Sequence, residues 1–478
     1  MRRWVFLPAV LLLVVSQAAM SATYYVDFAT GSDSNAGTSQ EAPWKRAPGM
    51  NGFAGNYAHS PGDRFIFKGG VSWDNTIAQW RITNSGTSGS PDYYGVDKAW
   101  HTGAEWTRPI FDGGSMNPIP PALRMGYFSV TAGFLHFDNL QLQNIGVPGT
   151  NQGNYAIRLL NVHDILVENM ALPVMSRIAI LITNITGTKL SNFEFRNNDI
   201  SACVWGIGGG PGEENSVVQN VLIHDNRFHD FHPQLANGSH GDGIYLFTDV
   251  RNASNYLDAV YIYNNSFYGD FSKYDVNNPL GGMTAFIWPQ SPQGTAYIYN
   301  NQIAYSKGGA ACDFYVGAGF KGLPVSGSVY IYNNSIYNGG SISLGFLNAS
   351  GVANLVVENN IVVGNQYAYV LDAYRPVGNF VSDYNDFHDW SKGAGGYFAG
   401  VSGKRMTYSQ FVGQGYEAHG LSKNPLFVSP VDLHLQPGSP AIRRGINLSP
   451  AFTADTASRP RPSTGPWDLG AYQASTGR

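Results

Sequence analysis

The sequence predicts an all-β protein built as a solenoid, a stack of similar coils. Three observations predict it. First, nearly the same short stretch is written three times: VYIYNNSFY from Val260, AYIYNNQIAY from Ala296 and VYIYNNSIY from Val329. Second, the asparagine that closes this motif recurs at Asn169, Asn198, Asn226, Asn265, Asn301, Asn334, Asn360 and Asn385, with spacings of 29, 28, 39, 36, 33, 26 and 25 residues. LHFDNLQLQN, at Asn139, reads as an earlier copy. A period of about 20–50 residues marks repeats that bury their apolar faces only by stacking. Third, only 13% of the 478 residues are charged and 57 are glycine. No long stretch keeps a 3.6-residue apolar period, so strands and turns are expected in place of helices.

Each unit holds short strands. In Val329-Tyr-Ile-Tyr332 the alternation fits a strand with one face inward. The asparagine that follows tolerates a left-handed turn and can hydrogen-bond the same asparagine one coil away. The repetition therefore predicts an asparagine ladder at one corner of the stack, where every coil turns at the same place.

In chain order, MRRWVFLPAVLLLVVSQAAMSATYY opens with Arg2 and Arg3, then an apolar run from Val5 to Val15 and small residues around Ala19 to Ala22. The run is shorter than the ~20 residues that span a bilayer. Residues 1–22 read as a secretory signal peptide, which places the protein outside the cell or in the periplasm. No later segment is expected to span a membrane. Residues 23–478 read as one domain: a cap with irregular first coils over 23–125, regular coils over 126–390, and final coils with a cap over 391–478. Cys203 and Cys312 fall about three coils apart, ~14 Å at ~4.8 Å per coil, too far for a disulfide. Both are expected to be small buried residues. The net charge of −4 comes with no basic stripe, so a nucleic-acid partner is not expected. A strongly acidic ligand would need a local basic pocket, because the global field does not attract it. A monomer is expected.

Two further stretches, TYYVDFATGSDSNAGTSQEAPWK (Thr23 to Lys45) and VDLHLQPGSPAIRRGINLS with SRPRPSTGPWDLGAYQ (Val431 to Gln473), join the repeats in carrying a resemblance. The chain resembles the right-handed parallel β-helix proteins of the pectin-lyase-like superfamily over nearly all of its mature length. The resemblance implies that fold. It is a poor guide to function, because such end segments occur on lyases, hydrolases, epimerases and proteins of other roles.

In a solenoid, departures from the repeat columns are the candidates for chemistry. The two longest spacings flank Asn265, so the extra residues fall within Phe231 to His240 and Asp270 to Pro279. His224 and His229 align with tyrosines of later coils and read as stacking column members, and Asp225 reads as a ladder member. His240 and Asp242, in SHGDGIYLF, have no counterpart. A carboxylate beside an imidazole suits general acid–base work, and the flanking glycines let a ligand approach; the same string also reads as a plain turn. It is similar to the acidic strand of polygalacturonase-like hydrolases. That family's other motifs are absent, so its machinery is not carried over.

The second insertion supplies Asp270, Lys273 and Asp275, and the next coil supplies Lys307 and Asp313. The superfamily resemblance implies a lyase chemistry with a Lys or Arg base and a Ca²⁺ ion or basic residue that neutralises the substrate carboxylate. Lys273 or Lys307 could be that base if desolvated, because burial lowers a lysine pKa. Asp270 and Asp275 are the candidate Ca²⁺ ligands. Trp205, Tyr245, Trp288 and Tyr315 could stack on sugar rings, although half of any alternating strand points inward. The function expected is cleavage of a polysaccharide, with β-elimination from a uronic-acid polymer ahead. The alternatives are hydrolysis by paired carboxylates such as Asp242 and Asp313, or glycan binding without catalysis.

Overall fold

The computed structural model describes residues 21–114 except 78, then 126–145, 155–174, 178–184, 189–211, 216–231, 241–248, 255–271, 283–290, 293–307, 310–317, 327–337, 347–364, 370–373, 377–390 and 396–474. All but the last two residues of the signal-peptide reading, 1–22, fall outside these residues. Among them, the strands form three sheets of 12, 12 and 11 strands. The first sheet runs from Thr23–Val26 to Val377–Asp383, the second from Trp80–Ile82 to Lys404–Met406, and the third from Ser72–Trp73 to Asp386–His388. Neighbours in each sheet lie three strands apart along the chain, so each coil gives one strand to the first sheet, then the third, then the second. All pairings are parallel except that of the closing strand Lys404–Met406. This is a right-handed parallel β-helix.

The repeated motif explains its own register. Val221, Val260, Ala296, Val329 and Leu355 pair in succession, as do Ile223, Ile262, Ile298, Ile331 and Val357. Both columns are buried and fill the interior, where stacked apolar side chains leave water together. The tyrosines between them face outward and stack: Tyr261 on Tyr297 at 5.2 Å, Tyr297 on Tyr330 at 4.8 Å. Cys203 and Cys312 are buried free thiols. No helix among the described residues is long and apolar enough to cross a membrane.

The corner between the first and third sheets divides the asparagine roles between two residues. The first of each pair takes the left-handed conformation: φ is 54° at Asn264, 54° at Asn300, 49° at Asn333 and 61° at Asn359. The second is buried and forms the ladder. Asn198, Asn226, Asn265, Asn301, Asn334, Asn360 and Asn385 each donate from the backbone N–H to the carboxamide oxygen one coil on, at 2.9–3.1 Å; for Asn385 the acceptor is Glu417. Asn169 and Asn139 are corrections to the sequence register. Both have positive φ and belong to the outer column, and Met170 and Leu140 hold the inner places.

The outer column holds down the C-terminal segment. Asn300 Nδ2 donates to Ala454 O at 2.9 Å, Asn333 Nδ2 to Asp468 O and Gly470 O at 3.0 Å each, and Asn359 Nδ2 to Ile446 O at 2.8 Å. The guanidinium of buried Arg461 donates to Asn300 Oδ1 at 2.9 Å and lies over Trp467. Burial lowers its pKa to about 10. A short helix, Tyr408–Gly413, closes the last coil by seating Phe411 against Phe398 and Tyr416.

Candidate functional site

The corner at which the third sheet hands over to the second gathers most of the described candidates. Asp270 ends the third-sheet strand Ser266–Asp270, and Lys307 ends its neighbour Gln302–Lys307, opposite Asp270 in register. Asp242 opens the second-sheet strand Asp242–Phe247. Asp313 lies in Ala310–Gly317, whose first residue follows Lys307 by three. Asp242 pairs with Ala285, and Ala285 with Cys312, so Asp242 and Asp313 are two rungs apart. At ~4.8 Å per rung their strands are roughly 10 Å apart. Both carboxylates are buried, at 0% exposure. Asp242 Oδ1 accepts from the backbone N–H of Ala285 at 3.0 Å. His240, Lys273 and Asp275 lie outside the described residues, as does most of both insertions.

The four aromatic candidates form one row across four consecutive strands of the second sheet. Trp205 meets Tyr245 at 4.8 Å, Tyr245 meets Trp288 at 4.6 Å and Trp288 meets Tyr315 at 4.3 Å between ring centroids. Trp205, Tyr245 and Trp288 each expose 8% of their surface, while Tyr315 is more open. Two of these contacts are edge-to-face and the Tyr245–Trp288 pair is tilted. Tyr245 donates to Gln290 Oε1 at 2.7 Å. Burial, with the nearby Asp242 charge, pushes its hydroxyl well above the ordinary tyrosine range. Phe314 is core.

The third-sheet side carries a charged relay that the sequence reading passed over. The His229 imidazole lies between two carboxylates: Nδ1 is 2.8 Å from Asp230 Oδ2, and Nε2 is 2.6 Å from Asp199 Oδ1. Arg227 donates to the other Asp199 oxygen at 2.7 Å. The hydrogen bond from Asp199 is the main cause that raises the His229 pKa, against the opposing effect of burial. The same contact lowers the pKa of Asp199. His229 also stacks on Tyr268 at 4.9 Å, as its column place predicts. Asp230 Oδ1 accepts from the backbone N–H of Asp270 at 2.8 Å and so ties the relay to the corner. Gly269 makes room for that bond: its φ is +92°, and a Cβ there would lie 2.5 Å from Asp230 Oδ1.

A signal for the relay was present as a dipeptide. His163–Asp164, His224–Asp225 and His229–Asp230 all pair His Nδ1 with the next carboxylate at 2.7–2.8 Å, and each Asp has positive φ. The left-handed turn swings the carboxylate back beside the preceding ring. His224 behaves as its column predicts and stacks on Tyr263 at 4.6 Å.

Among the described residues, no three His, Cys, Asp or Glu side chains converge at this corner to hold a metal. The trio that does converge, His136, Asp138 and Glu168, lies on the first sheet. Its members are already bonded: His136 to Glu168 at 2.8 Å, Tyr93 to Asp138 at 2.8 Å and Arg196 to Glu168 at 2.7 Å.

No family model and no curated protein matches the chain. Among solved structures, the GH136 lacto-N-biosidase of Eubacterium ramulus superimposes with a TM-score of 0.52 at 15% identity, over 77% of this chain. This chain spans 64% of that enzyme's length. Pectate lyase Pel9A gives a TM-score of 0.43 at 17% identity over 96% of this chain and 97% of its own. A rhamnogalacturonan lyase gives 0.41 at 14% identity over 86% and 91%. At these identities the likeness is one of fold. The chain has the parallel β-helix fold, with an acidic, aromatic-bordered corner on its middle coils.

Proposed function

We propose that the protein is a secreted, monomeric enzyme that cleaves a polysaccharide laid along the corner between the third and second sheets. One observation carries the reading. Residues of both charge signs fall on neighbouring coils at that corner, beside an aromatic row: Asp242 and Asp313 in second-sheet strands, and Asp270, Lys307 and the Asp199–His229–Asp230 relay in third-sheet strands and the turn that follows. The lacto-N-biosidase with the same fold is in keeping with a glycan as the substrate.

Within that reading, β-elimination from a uronic-acid polymer is the leading chemistry. A base takes the proton from the carbon beside the uronate carboxylate, a cation neutralises that carboxylate, the bond to the leaving sugar oxygen breaks as the carbon–carbon double bond forms, and the oxygen leaves with a proton. Lys307, or Lys273 from the insertion, is assigned the base. Arg227, the most exposed member of the relay network, is assigned to the substrate carboxylate, and Asp242 takes part in proton transfer. The other candidate Ca²⁺ ligand, Asp275, lies outside the described residues, so no step is routed through calcium; an ion held by Asp270 and Asp275 would neutralise the substrate carboxylate.

A second reading is hydrolysis, in which Asp242 and Asp313, on strands two rungs apart, would act as paired carboxylates. A panel of uronic and neutral polysaccharides tests both. Unsaturated products support elimination, and new saturated reducing ends support hydrolysis. Binding without any product refutes the enzyme reading.

A further inference from the structure

A basic concavity lies away from the candidate site, at another corner of the last coil. A cavity of about 630 Å³ opens between Tyr384 and Ala418–Gly420 on one wall and Arg443–Asn447 with Gly465–Pro466 on the other. Its volume falls in the ~300–1,000 Å³ range of small-molecule sites. Arg443 and Arg444 are both exposed there, and neither forms an ion pair among the described residues. The acids close by are already served. Asp383 accepts from the backbone N–H of His419 at 2.7 Å and meets its Nδ1 at 2.8 Å. Asp468 accepts from the backbone N–H of Arg443 at 2.7 Å and from Gln473 and Ala474. The cavity therefore presents two exposed guanidinium groups with no direct carboxylate partner among the described residues, on a molecule whose net charge is −4.

Its flank is aromatic. Tyr384 and His419 stack at 4.6 Å with their planes 7° apart. Arginine presents a planar fork that matches an oxyanion in two-point fashion. A flat ring pair beside it suits the apolar face of a pyranose. We propose that this cavity is a second, non-catalytic glycan site that holds an anionic sugar unit, a carboxylate or a sulfate ester, about three coils from the cleavage corner. The inference rests on the polysaccharide reading above and extends it: an extended acidic chain would be anchored at the end of the stack, where the global field gives no attraction.

The test is calorimetric titration of the full chain with three oligosaccharides of equal length: an oligogalacturonate, a sulfated neutral oligomer and an uncharged oligomer. It is run on wild type and on the Arg443→Ala/Arg444→Ala double variant, with the thermal midpoint as a check on folding. At least one anionic ligand should bind wild type, at least tenfold more weakly to the double variant, and far more weakly in raised salt. The arm that responds identifies carboxylate or sulfate. Equal affinity of the two proteins for every anionic ligand, or no anionic binding at all, overturns the proposal. Cleavage is scored separately on wild type, so arginine-dependent binding without cleavage would sink the enzyme reading and leave this site standing, and cleavage without arginine-dependent binding would do the reverse.

Discussion

Asn301 allows the asparagine ladder to be weighed. Its side-chain oxygen accepts from the Asn265 backbone N–H and from Asn265 Nδ2, both at 3.0 Å. Its amide donates to Ile262 O at 2.9 Å and to Asn334 Oδ1 at 3.1 Å. Asn301→Ala deletes all four bonds in a site with no exposure. Two partners keep another contact: Asn265 Nδ2 still reaches Ile223 O at 2.8 Å, and Asn334 Oδ1 still accepts from the residue 301 backbone at 2.9 Å. The Asn265 N–H is left without an acceptor, and Ile262 O loses a donor. A buried orphan costs about 1–3 kcal/mol and a lost bond about 0.5–1.5 kcal/mol, so the expected loss is about 3 kcal/mol. Denaturant unfolding followed by tryptophan fluorescence should show an earlier midpoint. Hydrogen exchange should show the Asn265 amide opening faster, because each coil leans on its neighbours. An unchanged midpoint with unchanged exchange at Asn265 would refute the argument that the ladder holds this corner.

Three further expectations follow from particular residues. Glu417 ends the ladder by accepting from Asn385 Nδ2 at 2.7 Å and Asn385 N–H at 3.0 Å, and burial pushes its pKa from 4.5 to about 7. The folded protein thus holds this proton more tightly than the unfolded chain. Its contribution is full below about pH 4.5 and is lost as pH rises through about 7, a fall of up to about 3 kcal/mol that Glu417→Gln should flatten in unfolding curves taken across that window. Asp242→Asn keeps an acceptor for the Ala285 N–H but removes the charge, so turnover should drop by ~10²-fold or more while the thermal midpoint barely moves; near-wild-type turnover on a verified substrate would remove Asp242 from the chemistry. Arg461→Met breaks the bond to Asn300 and should speed limited proteolysis of the C-terminal segment around residues 448–458, with equal cleavage rates counting against its role as anchor.

What was legible in the sequence was the part that repeats. The alternation Val260, Tyr261, Ile262, Tyr263 sets inward and outward faces by local stereochemistry alone, and the asparagines mark a turn that any coil must make. The doublet was read as one role where there are two, because a left-handed residue and a ladder residue side by side look alike as letters. Hence Asn169 was placed on the wrong column. The function of the outer column could not be read locally at all. Asn300 meets Ala454 and Arg461 across 154 and 161 residues of chain. At the candidate site, Asp242, Asp270, Lys307 and Asp313 were found as departures from the repeat, but the handover from third to second sheet that brings them to one corner depends on the three-dimensional path of the coil. His229 was found and set aside, because its place in a stacking column concealed its two carboxylate partners.

That double membership is itself informative. In the next coil Tyr268 fills the same column with a neutral ring, and Ala304 follows it. The column therefore has no need of a charge. At His229 the chain instead half-buries an imidazole between Asp199 and Asp230, with Arg227 closing the network. Such an arrangement takes several charges part-way out of water and returns little net stability over a neutral stack. The turn that follows is equally indifferent, since asparagine serves in the same conformation elsewhere in the helix. A structural account thus explains the position of His229 but not its charge. Charge gathered at one coil, tied through Asp230 to the Asp270 backbone and adjoining in sequence the two longest insertions, is accounted for if that corner does chemistry.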